Sequence, residues 1–185
     1  MKIKTSVVFE YLLEPNYRNY VFQGSSRASK TYNIVLWLVI KALQEQNKVF
    51  SIVRKTLPAL KGSVLRDLKE ILIKLELYED EKWHSVDGYV EIGSNIIEWF
   101  ALDTEEKIRG RKRDICFINE ATEISYDEYV QLSLRTSEIM ILDFNPSLWK
   151  SWIYELENEP DKNKHYEIEK RIARFNNLQL AKKVS

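Results

Sequence analysis

The stretch Gly24-Ser25-Ser26-Arg27-Ala28-Ser29-Lys30-Thr31 decides the fold. It follows Asn19-Tyr-Val-Phe-Gln23, a short β-prone run, and it opens a helical run from Lys30 to Gln46. A nucleotide phosphate loop reads glycine, four residues, glycine, lysine and a hydroxyl residue. Gly24, Lys30 and Thr31 fit it, and Ser29 stands where the second glycine would be. The pattern has a physical basis. Successive backbone N–H groups from Gly24 through Ser25, Ser26, Arg27, Ala28 and Ser29, together with the helix N-terminus, can face phosphate oxygens. Lys30 adds a cation, and the Thr31 hydroxyl can ligate Mg²⁺. A serine-rich turn that merely caps a helix is the competing explanation, and the strand-loop-helix context weighs against it. Ser29 keeps its N–H but lacks the ease with which glycine adopts positive φ.

Working outward, Lys48 to Arg54 is a second strand, which after a helical crossover should lie parallel to the first. The helix between them is apolar nearly all round, as a buried helix is. Ser63 to Leu77 carries an apolar stripe at intervals of three and four, and its other face is charged. From Trp83 to Ala101 the pattern changes to near-alternation around Gly88 and Gly93-Ser94-Asn95, which predicts a β-hairpin insertion around 83–101. Ile115 to Ile118 and Ile139 to Leu142 are short continuous apolar runs, with a helical segment from Tyr126 to Leu134 between them. Ser151 to Glu157 reads as helical and Tyr166 to Ile172 as a last strand. From Asn176 onward we expect a tail without a partner. Alternating strands and helices predict an α/β fold of the P-loop NTPase class, additional-strand type, with a mostly parallel central sheet. We expect one ATPase domain over residues 1–175 and a tail over 176–185.

Composition narrows the function classes. The 185 residues are 44% hydrophobic and 30% charged with five Gly and four Pro, so the chain is neither disordered nor fibrous. Lys plus Arg equals Asp plus Glu at 28 each, and any nucleic-acid contact must therefore come from a local patch. Such a patch is Lys107-Ile-Arg-Gly-Arg-Lys-Arg113. The one cysteine, Cys116, lies in an apolar run, which excludes disulfide and zinc frameworks. The longest apolar stretch, Ile34 to Ile40, is far shorter than a membrane span, and a soluble, intracellular protein is expected.

A phosphate loop needs a second half: an apolar strand ending in acid. Ile115-Cys-Phe-Ile-Asn119-Glu120 provides it some 90 residues downstream. Glu120 is the candidate general base for an attacking water. Asn119 occupies the position of the aspartate that holds Mg²⁺ through water; its amide oxygen can accept a hydrogen bond but carries no charge. Taken singly, such a Glu would be a helix-start acid complementing the dipole. Asp143-Phe-Asn145-Pro146 follows the next apolar strand, where parallel sheets hold functional polar groups. Asn145 is a candidate sensor of the γ-phosphate, with an ordinary Asn-Pro turn as the alternative.

In combination these motifs resemble the N-terminal ATPase half of the large terminase subunit of tailed bacteriophages. The resemblance also rests on Val53-Arg-Lys-Thr-Leu-Pro58 with Ser63-Val64, on Leu102-Asp103 with Lys107-Ile-Arg-Gly110, on Phe117-Ile-Asn-Glu-Ala-Thr-Glu123, and on Asp143-Phe-Asn-Pro-Ser147. It implies ATP and Mg²⁺ as cofactors, with Lys30 and Thr31 as phosphate and metal ligands, Glu120 as the catalytic carboxylate and Asn145 in the coupling motif. It further implies that Arg27 contacts phosphate. Gln23 is a candidate to approach the base, with an ordinary strand-end polar residue as the alternative, and Arg135 is a candidate for presentation to a neighbouring subunit's γ-phosphate, with a helix-end arginine complementing the dipole as the alternative. The implied partners are double-stranded DNA, the portal protein and the small terminase subunit. The implied setting is a homo-oligomeric ring at the procapsid portal in the host cytoplasm, with a monomer in isolation and no membrane. Residues 151–185 show no cluster of metal-binding carboxylates, so nuclease activity is not expected of this chain. Two other functions compete: a nucleotide-binding assembly module with weak or no hydrolysis, suggested by Ser29 and Asn119, and a helicase-like ATPase, whose further motifs are not seen.

Overall fold

Val21 and Phe22 point to opposite faces of one strand and both are buried, so that strand must be covered on two sides. The computed structural model describes residues 2–14, 17–25, 28–103, 112–146, 151–158, 163–168 and 176–179. In chain order the elements are β1 (Lys2–Thr5), α1 (Val7–Tyr11), β2 (Asn19–Gly24), α2 (Lys30–Gln44), β3 (Val49–Arg54), α3 (Leu57–Gly62) and α4 (Val64–Lys74). There follow β4 (Trp83–His84), β5 (Tyr89–Ile92), β6 (Asn95–Ala101), β7 (Arg113–Ile118), α5 (Tyr126–Leu134), β8 (Thr136–Phe144), β9 (Asn163–Ile168) and β10 (Asn176–Gln179).

Eight strands form one sheet in the order β4-β5-β6-β3-β7-β8-β2-β9. From β6 to β9 every neighbouring pair is parallel, and β4 and β5 add an antiparallel margin. The first two predicted strands, β2 and β3, are parallel as expected but not adjacent: β7 and β8 lie between them. The strand β8 separates the loop strand β2 from the acid-bearing β7, and this intervening strand defines the additional-strand class. The hairpin expected around 83–101 is present as β5 and β6, and it extends the central sheet through the pairing of β6 with β3.

Period-two alternation sorts the core into two layers. Phe22, Phe50, Ile52, Phe117 and Ile141 pack toward α1, α2 and α4. Val21, Val53, Cys116, Ile118, Met140 and Leu142 pack on the other face with Tyr129 and Leu132 of α5 and with Ile153. Ile34 through Ile40 of α2 are all buried, which explains a helix apolar on every side. Its C-terminus is closed by the buried Asn95, whose Nδ2 donates to the carbonyls of Ala42 and Glu45 and so satisfies two helix-end acceptors. α5 starts on a capping box, in which Ser125 and Glu128 satisfy each other's backbone N–H groups.

Three expectations change. The 151–157 segment forms a 3₁₀ helix, Trp152–Asn158, in place of an α-helix. The last strand of the sheet is Asn163–Ile168, earlier than Tyr166 to Ile172. Asn176–Gln179 is not an unpartnered tail but pairs antiparallel with β1. That pairing is invisible locally because its partner lies at the other end of the chain.

Burial pushes the Cys116 thiol up to about 12. In the native protein a thiol reagent should therefore label Cys116 only as fast as the sheet opens, and denaturant should bring labelling to the rate of a free thiol. Rapid labelling under native conditions would contradict the central placement of β7. Truncation of the fully buried Phe22 to Ala should cost roughly 3–5 kcal/mol in denaturant unfolding.

Candidate nucleotide and metal site

The carboxyl ends of parallel strands collect functional groups because helices begin and backbone donors emerge there. Here the end of β2 delivers Gly24 and the loop, the end of β7 delivers Asn119 and Glu120, and the end of β8 delivers Asp143 and Asn145. The Ala28 N–H turns back to the Ser25 carbonyl at 3.0 Å, and Ser29 then takes φ 55° and ψ 22° before α2 begins. The second-glycine position of the loop is thus held in the left-handed conformation by a serine, at a cost of roughly 1–2 kcal/mol.

Lys30 is 6% exposed. Its Nζ donates to the carbonyls of Gly24 at 2.7 Å and Ser25 at 3.0 Å, and to Asn145 Oδ1 at 3.3 Å. Burial lowers its pKa, and the negative charges of Asp143 and Glu120 act against that shift. Asn145 Nδ2 donates to Glu120 Oε1 at 2.8 Å, so the amide joins the candidate base to the loop lysine. Burial raises the Glu120 carboxyl above its ordinary value, and the Asp143 charge adds to this against Arg54, Asn145 and Lys30. Glu120 itself is held at φ 52°, a second left-handed residue at the site.

Around Thr31 a tighter cluster forms. Its hydroxyl donates to Asp143 Oδ2 at 2.8 Å. Asn119 Nδ2 donates to Asp143 Oδ1 at 2.9 Å and to Thr31 Oγ1 at 3.3 Å, while the Glu120 N–H donates to Asp143 Oδ1 at 3.0 Å. Asp143 is 1% exposed; burial raises its pKa, opposed by the Glu120 N–H, Lys30, Thr31 and Asn119. Asn119 Oδ1 is buried without a hydrogen-bond partner among the described residues, an open acceptor in a polar niche. Thr31, Asp143 and this open oxygen suit Mg²⁺ and its waters. Among the described residues no group of three or more His, Cys, Asp and Glu side chains gathers, so the cation would depend on nucleotide phosphates for its remaining ligands.

Lys30, Thr31, Asn119, Glu120 and Asn145, each singled out from the sequence, meet in this one network. Gly24, Ser25, Ala28 and Ser29 form the loop, with Gln23 half-buried just before it. Ser26 and Arg27 lie outside the described residues, as do most of the basic run and Ser147. Arg113, the last of that run, is 2% exposed with its guanidinium 5.3 Å from the Phe100 ring centroid, so it is no DNA contact. Arg135 does not reach the site: it precedes β8, at the amino-terminal end of that interior strand, roughly 25 Å from Asp143 at about 3.3 Å per residue. There its Nη1 donates to the carbonyl and side chain of Gln131.

Three contributors escape sequence reasoning. Asp143 sat inside a quoted motif, and an amide at the usual aspartate position was the signal to look for a replacement carboxylate. Arg54, at the end of β3, grips Glu123 through Nη2 at 3.2 Å and Nε at 3.3 Å and thereby fixes the turn after Glu120. Asn33, 2% exposed, donates to the Ser29 carbonyl at 2.8 Å and accepts from the Ser6 N–H at 2.8 Å, tying the N-terminal segment to the loop. No local pattern marks Asn33.

A sequence model described as phage terminase large subunit matches residues 16–179. Among solved structures, the large terminase of a thermophilic bacteriophage aligns with TM-score 0.75 and 22% identity over 96% of this chain and 47% of that one. The same protein in complex with ATP-gamma-S aligns with TM-score 0.71 and 21% identity over 96% and 46%. The large terminase ATPase domain of Thermus phage P74-26 aligns with TM-score 0.62 and 13% identity over 86% and 79%. At these identities the likeness establishes the fold. The chain spans about half the length of the first of these relatives. A comparison with curated proteins yields no match.

The left-handed serine yields a direct test. Ser29→Gly should stabilise the protein by about 0.5–1 kcal/mol, because relief of strain exceeds the added chain entropy, whereas the β-branched Ser29→Val should destabilise it by more than about 1 kcal/mol. Thermal melts of the two variants check both signs.

Proposed function

Because the chain belongs to the phage terminase large subunit family, we propose that it binds ATP on the Gly24 loop and hydrolyses it to drive double-stranded DNA into a procapsid. One observation carries the proposal: Glu120, Asn145 and Lys30 form a continuous hydrogen-bonded chain, with Asn145 linking base to lysine. Lys30 now satisfies two loop carbonyls, and its ammonium is the group that would turn to the β- and γ-phosphates. Glu120 would orient the attacking water and take its proton. Burial, which raises its proton affinity, makes it a better acceptor than an exposed carboxylate. Asn145, bonded to both, would register whether the γ-phosphate is present. Bound Mg²⁺ would neutralise phosphate charge. Arg27 and Gln23 are proposed to meet phosphate and base, and Arg135 to act across a subunit boundary in an assembled ring. The portal protein and small terminase subunit are the proposed partners, at the procapsid in the host cytoplasm.

The second function, a nucleotide-binding assembly module that scarcely hydrolyses, is favoured by the amide at Asn119. The Asp143 carboxylate beside it weighs the other way, since the niche retains a negative charge.

Lys30→Ala should weaken ATP binding, measured by calorimetry. Glu120→Gln should leave binding intact and lower turnover about 10²–10⁴-fold. Asn145→Ala, which cuts the link, should lower kcat more than it raises KM. ATP binding by the wild-type chain without turnover, alone and with linear DNA and portal, would favour the assembly module. Unchanged turnover in both the Lys30 and Glu120 variants would remove the proposed roles.

A further inference from the structure

We propose that Asp143 supplies the carboxylate that holds the nucleotide's divalent cation, a charge carried by β8 in this chain because Asn119 stands at the end of β7; the proposal rests on the nucleotide assignment above. Register makes the exchange possible. Ile118 pairs with Leu142, so the next residues, Asn119 and Asp143, emerge side by side from neighbouring parallel strands. Their side chains meet at 2.9 Å, with the amide donating to the carboxylate.

Each part of the niche is consistent with one carboxylate and one amide. Asp143 Oδ2 accepts the Thr31 hydroxyl proton and Asn119 Nδ2 donates to the Thr31 oxygen at 3.3 Å, which leaves one lone pair of that oxygen for a cation. Asp143 Oδ1 accepts from Asn119 and from the Glu120 N–H, so the metal-side carboxylate also fixes the backbone of the candidate base. Asn119 Oδ1, buried and without a partner among the described residues, is an acceptor for a water on that cation. Without a cation between them, two carboxylates at this separation would share a proton or repel, so an aspartate at 119 would meet Asp143 unfavourably. One carboxylate, on either strand end, is enough to charge the niche.

The test is a charge transplant with the full chain, read as the affinity for ATP with Mg²⁺ and with EDTA. Wild type should bind more tightly with Mg²⁺. Asp143→Asn should lose about 10–100-fold of affinity in Mg²⁺ and little in EDTA. The double variant N119D/D143N, which moves the carboxylate to β7 and keeps the pair, should recover the Mg²⁺ enhancement to within about threefold. Mn²⁺ added in place of Mg²⁺ should show, by its paramagnetic signal, the same loss and recovery of bound metal. An Asp143→Asn protein that keeps the full enhancement overturns the proposal, as does a folded double variant that fails to recover it. If Asp143→Asn does not fold, the double variant compared with wild type decides alone. A wild type that binds no ATP in either condition overturns the nucleotide assignment itself. ATP binding that is equal in Mg²⁺ and EDTA refutes the cation role only.

Discussion

A buried carboxylate must be paired, and Asp143 is paired by three donors from two separate segments: the Thr31 hydroxyl in the first turn of α2, and the Asn119 amide and Glu120 N–H just past the end of β7. Those bonds cannot form unless β8 lies between β2 and β7 in the observed register. The strand order and the site are therefore one constraint. If β8 were displaced by one residue, Asp143 would turn toward the opposite face and leave Thr31, Asn119 and the Glu120 N–H without their acceptor.

The scaffold behind the site is rigid for a related reason. Ile34 through Ile40 of α2 are enclosed by the sheet, α1 and α4, so the N-terminus of the helix, and with it Lys30 and Thr31, is anchored from within the core. Asn33 extends that anchoring to Ser6, and Asn95 closes the far end of the helix. Against this background, the left-handed backbones of Ser29 and Glu120 are strain that packing can hold. Both are at the site, one in the loop and one at the candidate base. The charges of the cluster work against burial as well: two carboxyls whose proton affinity is raised by burial lie near an ammonium whose proton affinity burial lowers. Phosphates and a divalent cation are the charges that would complement both.

The strand-loop-helix around Gly24, the apolar runs at 115–118 and 139–142 and the helical segment between them are local patterns, so element type and the parallel α/β class were legible in the sequence alone. Lys30, Thr31, Glu120 and Asn145, which meet in one network, were candidates there too, because each sits at a fixed offset from a loop or strand end. Short elements were less legible. α1 and α3 span five and six residues, too few for a periodic signal, and β10 depends on a partner far away in sequence.

The sequence by itself determined which side chains could perform phosphate and water chemistry, since that depends on residue type and local spacing. Only the tertiary structure decided which of them share a site. It set Arg135 at the end of β8 away from the site, buried Arg113, and drew Asn33 and Arg54 in as supports. It also placed Asp143 beside Asn119, a juxtaposition made by the pairing of β7 with β8 across 24 residues of chain. The physical reason is that strand order and register are set by burial of both faces of the sheet, a property of the whole core and not of any segment.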